Sequence, residues 1–545
     1  MSLEQGTASE FPDVERRFEK PLQKWEYAFL FAFWVAIVGA AIWQSGKEYF
    51  DNDELCTTLL VSNPSFSEMW TVIRRGGELN PPLFFIIEWI IARVAGGGEL
   101  ALRAISFVSV AFGGWILYFT LRPLTGPRIA AVSIALILGL SRTTFYLAGR
   151  ARYYAFFFLL VTIAIWLAMR LRSRIELRWS DYASVFLIHC LLVYLHLFGL
   201  IFSGVLLLAV VAADALIIKW RWKLYGCIIA AWVAFGAWVP YATTQVKSAG
   251  AYTPPGYHTI GFFLEQLSLE TPYAPIFIVV AMLGGLALML PRGAGAADEA
   301  SSCNSPLGWT SLALLAGGLL VVPIATWFGS FFITALFMPR YVFPSIAGYV
   351  IITALILLAL LRLPRGNPQF KWTISPAVWT TTWFAVLAFG LLFQPMRAWK
   401  NPSLPVQPFV DAEFGDRHLP MVFENSFPYI KRAFYGRDRE YMLLTDPEAS
   451  KADPNWYTGF IMRYFDHYYP RYQRMHILHY DDLPDTFLAV DDDMTKTFEW
   501  LFEHRPDLKT RLLGTRKSEL EYFGMERVFL VQRSRNQRAV GATAP

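Results

Sequence analysis

Six short stretches of this 545-residue chain carry side chains able to do chemistry. The first, KEYFDNDELC, holds Asp51, Asp53 and Glu54 together. Such carboxylates can supply a general base for an attacking hydroxyl, or they can cap the helix that follows, where Asp is a favoured first residue. GGELNPPLFF sets Glu78 and Asn80 before Pro81 and Pro82, and prolines suit the first helical turn. YLAGRARYYAFF places Arg150 and Arg152 beside Tyr153 and Tyr154, and FMPRYVFP places Arg340 beside Tyr341. Arg and Tyr are ordinary anchors at a membrane surface. A guanidinium is also a planar, permanently charged fork that fits phosphate oxygens. His196 in VYLHLFGL is a lone imidazole among apolar residues, which reads first as a packed polar group with a minor role in any site. The run Asp491, Asp492, Asp493 reads as a solvated strand-to-helix turn before it reads as a metal site.

The elements that position these residues must be largely membrane helices. Hydrophobic residues make up 55% of the chain and charged residues 17%, where soluble domains carry about 25% charged residues. Apolar runs of the length needed to cross about 30 Å of hydrocarbon predict eleven spans, at 25–45, 101–120, 128–147, 153–170, 181–196, 198–218, 224–245, 273–290, 307–329, 341–361 and 373–393. The first reads as an uncleaved signal anchor. The segment 81–96 is apolar but short and carries Glu88 and Arg93, so it predicts an interfacial helix lying along the membrane. After residue 100 this topology leaves thirteen Lys and Arg in cytoplasmic loops, including those of RLRSR and KWRWK, against five outside. That asymmetry sets an inside N-terminus and an extracytoplasmic active face. The formal charge of +5 is small for this length and follows topology, so no nucleic-acid partner is assigned. The four scattered cysteines form neither a zinc spacing nor a disulfide framework.

The domain plan is therefore a cytoplasmic segment 1–24, a transmembrane domain 25–393 with a first outer loop at 46–100, and a soluble domain 394–545 outside the membrane. In that last part, short apolar runs at 421–423, 441–444, 475–478, 486–490 and 528–531 alternate with helix patterns at 456–469 and 494–504. The pattern predicts a small α/β sandwich. The fold class is an all-α polytopic membrane domain followed by an extracytoplasmic α/β domain.

The order of the motifs DNDE, NPPLFF, LALRAISF, RARYYAFF and PRYVFP resembles the membrane glycosyltransferases of the C-type fold, especially family 39, with its protein O-mannosyltransferases and lipid A aminoarabinose transferases. The likeness threads about 350 residues in one order. It implies inverting transfer of a sugar from a polyprenyl-phosphate donor to a hydroxyl on a cell-envelope glycan, lipid or protein, at the periplasmic face of a bacterial inner membrane. It also implies that Asp53 is the base, with Glu54 its companion. The chain departs from the pattern at Asn80, where many relatives carry His, and at RARYY, where some carry an acidic residue.

The chemistry is self-consistent. The leaving phosphate is already ionised, so one base and a positive clamp suffice. Asp53 would take the acceptor proton, and Arg340 with Arg150 or Arg152 would stabilise the departing phosphate. Glu54 would orient the acceptor or hold a divalent cation, and Glu78 would contact sugar hydroxyls. No cofactor is required by this scheme and no residue is assigned as a metal ligand. A transporter or flippase of lipid-linked sugars is the competing class. It favours ionisable residues near the membrane midplane, whereas the carboxylates here gather at one surface and Asp214 is one of few within a span.

Overall fold

The computed structural model describes residues 21–78, 80–172, 174, 176–243, 306–331, 338–362, 414, 418–436, 439–452, 476–492, 495–517 and 525–534, with isolated positions between 385 and 396. Its helices in chain order are α1 (Lys24–Ser45), α2 (Asn52–Val61), α3 (Phe66–Arg74), α4 (Leu83–Ala95), α5 (Glu99–Thr125), α6 (Pro127–Leu140), α7 (Arg142–Ala148), α8 (Tyr154–Arg172), α9 (Trp179–Leu195), α10 (Phe198–Ala215), α11 (Trp222–Phe235), α12 (Pro306–Gly329), α13 (Ile346–Arg362), α14 (Ser426–Tyr435), α15 (Pro447–Ala452) and α16 (Thr497–His504). The strands are β1 (Met421–Phe423), β2 (Tyr441–Leu444), β3 (His476–Leu478), β4 (Thr486–Asp492), β5 (Leu508–Lys517) and β6 (Met525–Arg533). The chain forms two compact units. Met1–Glu48, Asn80–Pro240 and Thr253–Ser403 make the first; Tyr49–Leu79, Tyr241–Tyr252 and Leu404–Pro545 make the second.

The first unit is built on apolar helices. Among the described residues, six are long and apolar enough to cross a membrane, and the bent pair α6 and α7 makes a seventh if counted as one span. The chain is an integral membrane protein. The expected ranges at 273–290 and most of 373–393 lie outside the described residues, as does the helix expected at 456–469. The span expected at 128–147 corresponds to the bent pair α6 and α7. The helix breaks at Ser141 by 73°, because Ser141 adopts extended backbone and its hydroxyl accepts the Thr144 N–H at 3.1 Å, starting a new helix. α4 has 13 residues, too few to span a bilayer.

Close helix contacts in this unit depend on absent side chains. A Cβ on Gly113 would lie 2.4 Å from the Phe158 ring, and one on Gly114 would lie 2.3 Å from the Phe33 ring. Two glycines on α5 thus admit aromatic rings from α8 and α1, the small-residue packing usual where hydrocarbon gives helices little drive to associate. The cores of α1 and α5 are also tied by polar bonds. Buried Glu26 accepts from the Tyr118 hydroxyl and the Arg122 guanidinium.

Among the described residues the second unit holds one six-stranded sheet in the order β3-β2-β1-β4-β6-β5. β3, β2, β1 and β4 are parallel neighbours, and β6 and β5 run antiparallel at one edge. The expected α/β organisation is present as a mixed sheet with α14, α15 and α16 between its strands. The apolar runs of the sequence form β1, β2, β3, β4 and part of β6, with Val422, Phe487 and Val531 fully buried in one core. The expectation of a solvated turn at Asp491–Asp493 is corrected for the two described members. Asp491 and Asp492 end β4 and are 3% and 2% exposed, because Asp492 accepts from the Asn425 side chain and from Thr495, and Asp491 pairs with Arg527 at 2.7 Å.

Candidate active site

The carboxylates of the first outer loop belong to the second unit. The spacing D-x-x-E before an apolar run is a capping pattern, and the backbone uses it. Asp51 accepts the Glu54 N–H at 2.8 Å, and Glu54 accepts the Asp51 N–H at 2.9 Å. The cap alternative therefore holds for these two. Glu54, expected as the companion of Asp53, is fully buried, and its carboxylate serves the helix start. Asp53 occupies the second helical position and is only partly buried. Acidic residues in a first turn complement the helix dipole. Glu78 follows α3 in the same unit and is buried.

The first unit gathers most of the remaining candidates. The Asn80 amide donates to the Tyr153 hydroxyl at 3.0 Å, which in turn donates to Tyr154 at 3.4 Å. His196, 3% exposed, lies 4.8 Å from the Tyr153 ring and 5.0 Å from the Tyr341 ring. Its Nδ1 accepts the Phe198 N–H at 3.0 Å, which leaves the ring proton on Nε2. Arg152 lies 5.1 Å from the Tyr153 ring centre, and Arg340 lies 5.7 Å from both Tyr154 and Tyr341. A guanidinium held over a ring face keeps its N–H edge directed outward in its own plane, the edge that binds phosphate oxygens.

Arg150 stands apart from this cluster. It pairs with Glu48 at 3.3 Å and lies 4.4 Å from the Tyr146 ring. Arg152 thus lies at the Tyr153 ring and Arg150 at Glu48, because the turn after α7 aims the two side chains at different neighbours. Among the described residues, no three His, Cys, Asp or Glu side chains are grouped to hold a metal ion.

Sequence reasoning missed the residues that hold this arrangement in place. Arg103 and Ser106 lie in the LALRAISF stretch of α5. Arg103 is fully buried and donates to the Ser45 and Glu48 carbonyls at 3.3 and 3.1 Å. The Ser106 hydroxyl donates to the Arg152 carbonyl at 3.1 Å. One helix turn therefore fixes both the end of α1 and the backbone of Arg152. A buried Arg in an apolar helix was the available signal.

Comparison with solved structures adds the fold. The chain matches ArnT from Cupriavidus metallidurans bound to undecaprenyl phosphate with a TM-score of 0.50 at 14% identity, covering 93% of this chain and 98% of that one. The apo state of the same protein matches with a TM-score of 0.51 at 12% identity, over 93% and 97%. The chain has the C-type glycosyltransferase fold. The Archaeoglobus fulgidus oligosaccharyltransferase aligns more loosely with this C-type chain, with a TM-score of 0.42 at 11% identity over 77% of this chain and 64% of its own. No family model and no curated protein matches the sequence.

Proposed function

We propose that this chain is an inverting glycosyltransferase. It moves a sugar from a polyprenyl-phosphate donor to a hydroxyl of a cell-envelope glycan, lipid or protein, at the extracytoplasmic face of a bacterial inner membrane. The observation that carries the reading is that 93% of the chain follows the fold of ArnT, whose solved structure is bound to undecaprenyl phosphate. The Arg152 and Arg340 pair over the tyrosine cluster supports it, because a leaving phosphate needs fixed positive charge.

In this reading Asp53 takes the acceptor proton as the hydroxyl oxygen attacks the anomeric carbon. The bond from that carbon to the phosphate oxygen breaks, its electron pair stays on the phosphate, and configuration inverts. Arg152 and Arg340 hold the phosphate while its charge grows. Asn80, Tyr153, His196 and Tyr341 shape the donor side, and Glu78 contacts the sugar. In the same reading, eleven spans and an inside N-terminus put residues 394–545 on the periplasmic side.

The test is sugar transfer by purified protein with a panel of polyprenyl-phosphate monosaccharides and a cell-envelope extract, with and without chelator. Asp53→Asn is expected to lower transfer by about 10²- to 10⁴-fold in a folded protein, the usual worth of a general base. A wild-type protein that transfers nothing but moves lipid-linked sugar between liposome leaflets would instead be a transporter.

A further inference from the structure

We infer that helix α14 of the C-terminal domain is a positioning element for the base, holding the start of α2, and so Asp53, through Tyr435. The inference rests on the reading of Asp53 as base, and it assigns that domain a part in the chemistry.

The contact lies wholly within the second unit. Phe50 and Asp51 immediately precede α2, and Asp51 is its cap. The Phe50 N–H donates to the Tyr435 hydroxyl at 3.0 Å. The Tyr49 and Tyr435 rings lie 4.1 Å apart, and Phe50 meets Phe434 edge-on at 6.2 Å. The Lys431 ammonium adds a fourth contact, 5.9 Å from the Tyr49 ring. Three side chains from the last turns of α14 therefore grip the two residues before the cap. Phe50 and Leu55 occupy the positions of a hydrophobic staple and both are buried, so the entry angle of α2 is set where α14 holds Phe50.

α14 is itself rigidly mounted. Its cap residue Asn425 accepts the Phe427 N–H at 3.0 Å and donates to Asp492 at the end of β4. Arg432 is buried over the Phe423 ring at 5.2 Å. A Cβ on Gly436 would lie 2.4 Å from the Tyr441 ring, so this glycine lets the helix end press against β2. The path runs from the β1 and β4 strand ends through α14 to Tyr435, Phe50 and the cap of α2. Asp53 is two residues further on.

The experiment uses full-length protein in lipid nanodiscs and two variants, Tyr435→Phe and Tyr435→Ala. Hydrogen exchange is read over residues 50–61 and, as a folding control, over β1 and β4. Exchange over 50–61 is expected to rise in both variants, more in Tyr435→Ala, with the strands unchanged. Tyr435→Phe is expected to lower kcat roughly two- to tenfold, the effect of one neutral hydrogen bond, with KM for the lipid donor unaltered. Unchanged exchange over 50–61 in an active protein would overturn the docking. Faster exchange with unaltered kcat would overturn the positioning role. A wild-type protein that transfers no sugar would sink the transferase reading and the base with it, whatever the exchange shows.

Discussion

The side chain of Asn80 and the hydroxyl of Tyr153 are joined by a buried 3.0 Å hydrogen bond across 73 residues of sequence. It links the turn before α4 to the turn before α8. Both groups are buried, Tyr153 completely, so the bond is made away from competing water. Tyr153→Phe removes the acceptor and is expected to cost about 1 to 3 kcal/mol of stability, the penalty for a buried donor losing its partner. A cycle with Asn80→Leu checks it. The double variant should recover part of that loss, and strict additivity of the two single effects would count against the coupling.

Arg340 carries a different expectation, because its part in the proposed reaction is charge and shape together. It lies equally far from the Tyr154 and Tyr341 ring centres, and lysine has neither the planar fork nor the same affinity for rings. Arg340→Lys is therefore expected to weaken binding of undecaprenyl phosphate by about tenfold, and Arg340→Ala by more, in line with about 1.5 to 3 kcal/mol for a hydrogen bond to a charged group. Arg150→Lys, at the Glu48 pair, should leave that affinity within about threefold, since an ammonium can keep a partly exposed ion pair. Equal losses at the two positions would dissolve the distinction between Arg150 and Arg152. Titration of lipid phosphate by quenching of intrinsic fluorescence reads all three.

How much of this was legible depended on what kind of partner each residue has. Membrane helices such as α5 and α10 could be read because hydrocarbon demands long apolar runs. The parallel strands β1, β2 and β4 showed as short apolar runs for a like reason, burial on both faces. β5 did not show, because LKTRLLGTRK is a charged edge strand with a register shift between Leu512 and Gly514, and an edge strand buries little. The break at Ser141 was equally hidden, since a serine inside an apolar run also fits a continuous helix. In the site, residue types could be read but neighbours could not. Arg103 and Ser106 act on backbone carbonyls, which no side-chain pattern specifies. Asp51 and Glu54 showed the opposite case, a local pair whose spacing already contained the capping answer.

The second unit is expected to lose stability as pH rises above the carboxylate range. Glu424 is 1% exposed. It accepts the Asp492 and Phe498 N–H groups at 3.0 and 2.8 Å and faces Asp491 and Asp492, with Arg527 beside Asp491. Burial first, and the negative charge of Asp491 next, hold its carboxyl well above the ordinary 4.5. The folded domain thus binds this proton more tightly than the unfolded chain does. The associated stabilisation is full below the unfolded value and is lost as pH rises through the folded one. Hydrogen exchange in β1 and β4, corrected for the intrinsic rate, should accelerate as pH rises from the ordinary carboxylate value through the raised value of Glu424. Asp491→Asn removes the neighbouring charge and should flatten that profile. Parallel profiles for the two proteins would rule out the linkage.

Asp214 tests whether an acidic residue inside a helix must be a transport group. It is 1% exposed near the end of α10. Arg221 meets it with two bonds of 2.8 Å, the Tyr225 hydroxyl donates at 2.6 Å, and Arg172 lies 3.7 Å away while also donating to the Ala213 carbonyl. A carboxylate gripped by two guanidiniums and a phenol joins α8, α10 and α11, which is the work of a structural lock. Breaking one member of a buried ion network strands the others, at about 3 to 5 kcal/mol. Asp214→Asn is therefore expected to lower the unfolding temperature in detergent markedly while the surviving folded fraction keeps its kcat. Retained stability with abolished lipid-linked sugar movement in liposomes would reverse the assignment and return Asp214 to the transporter reading.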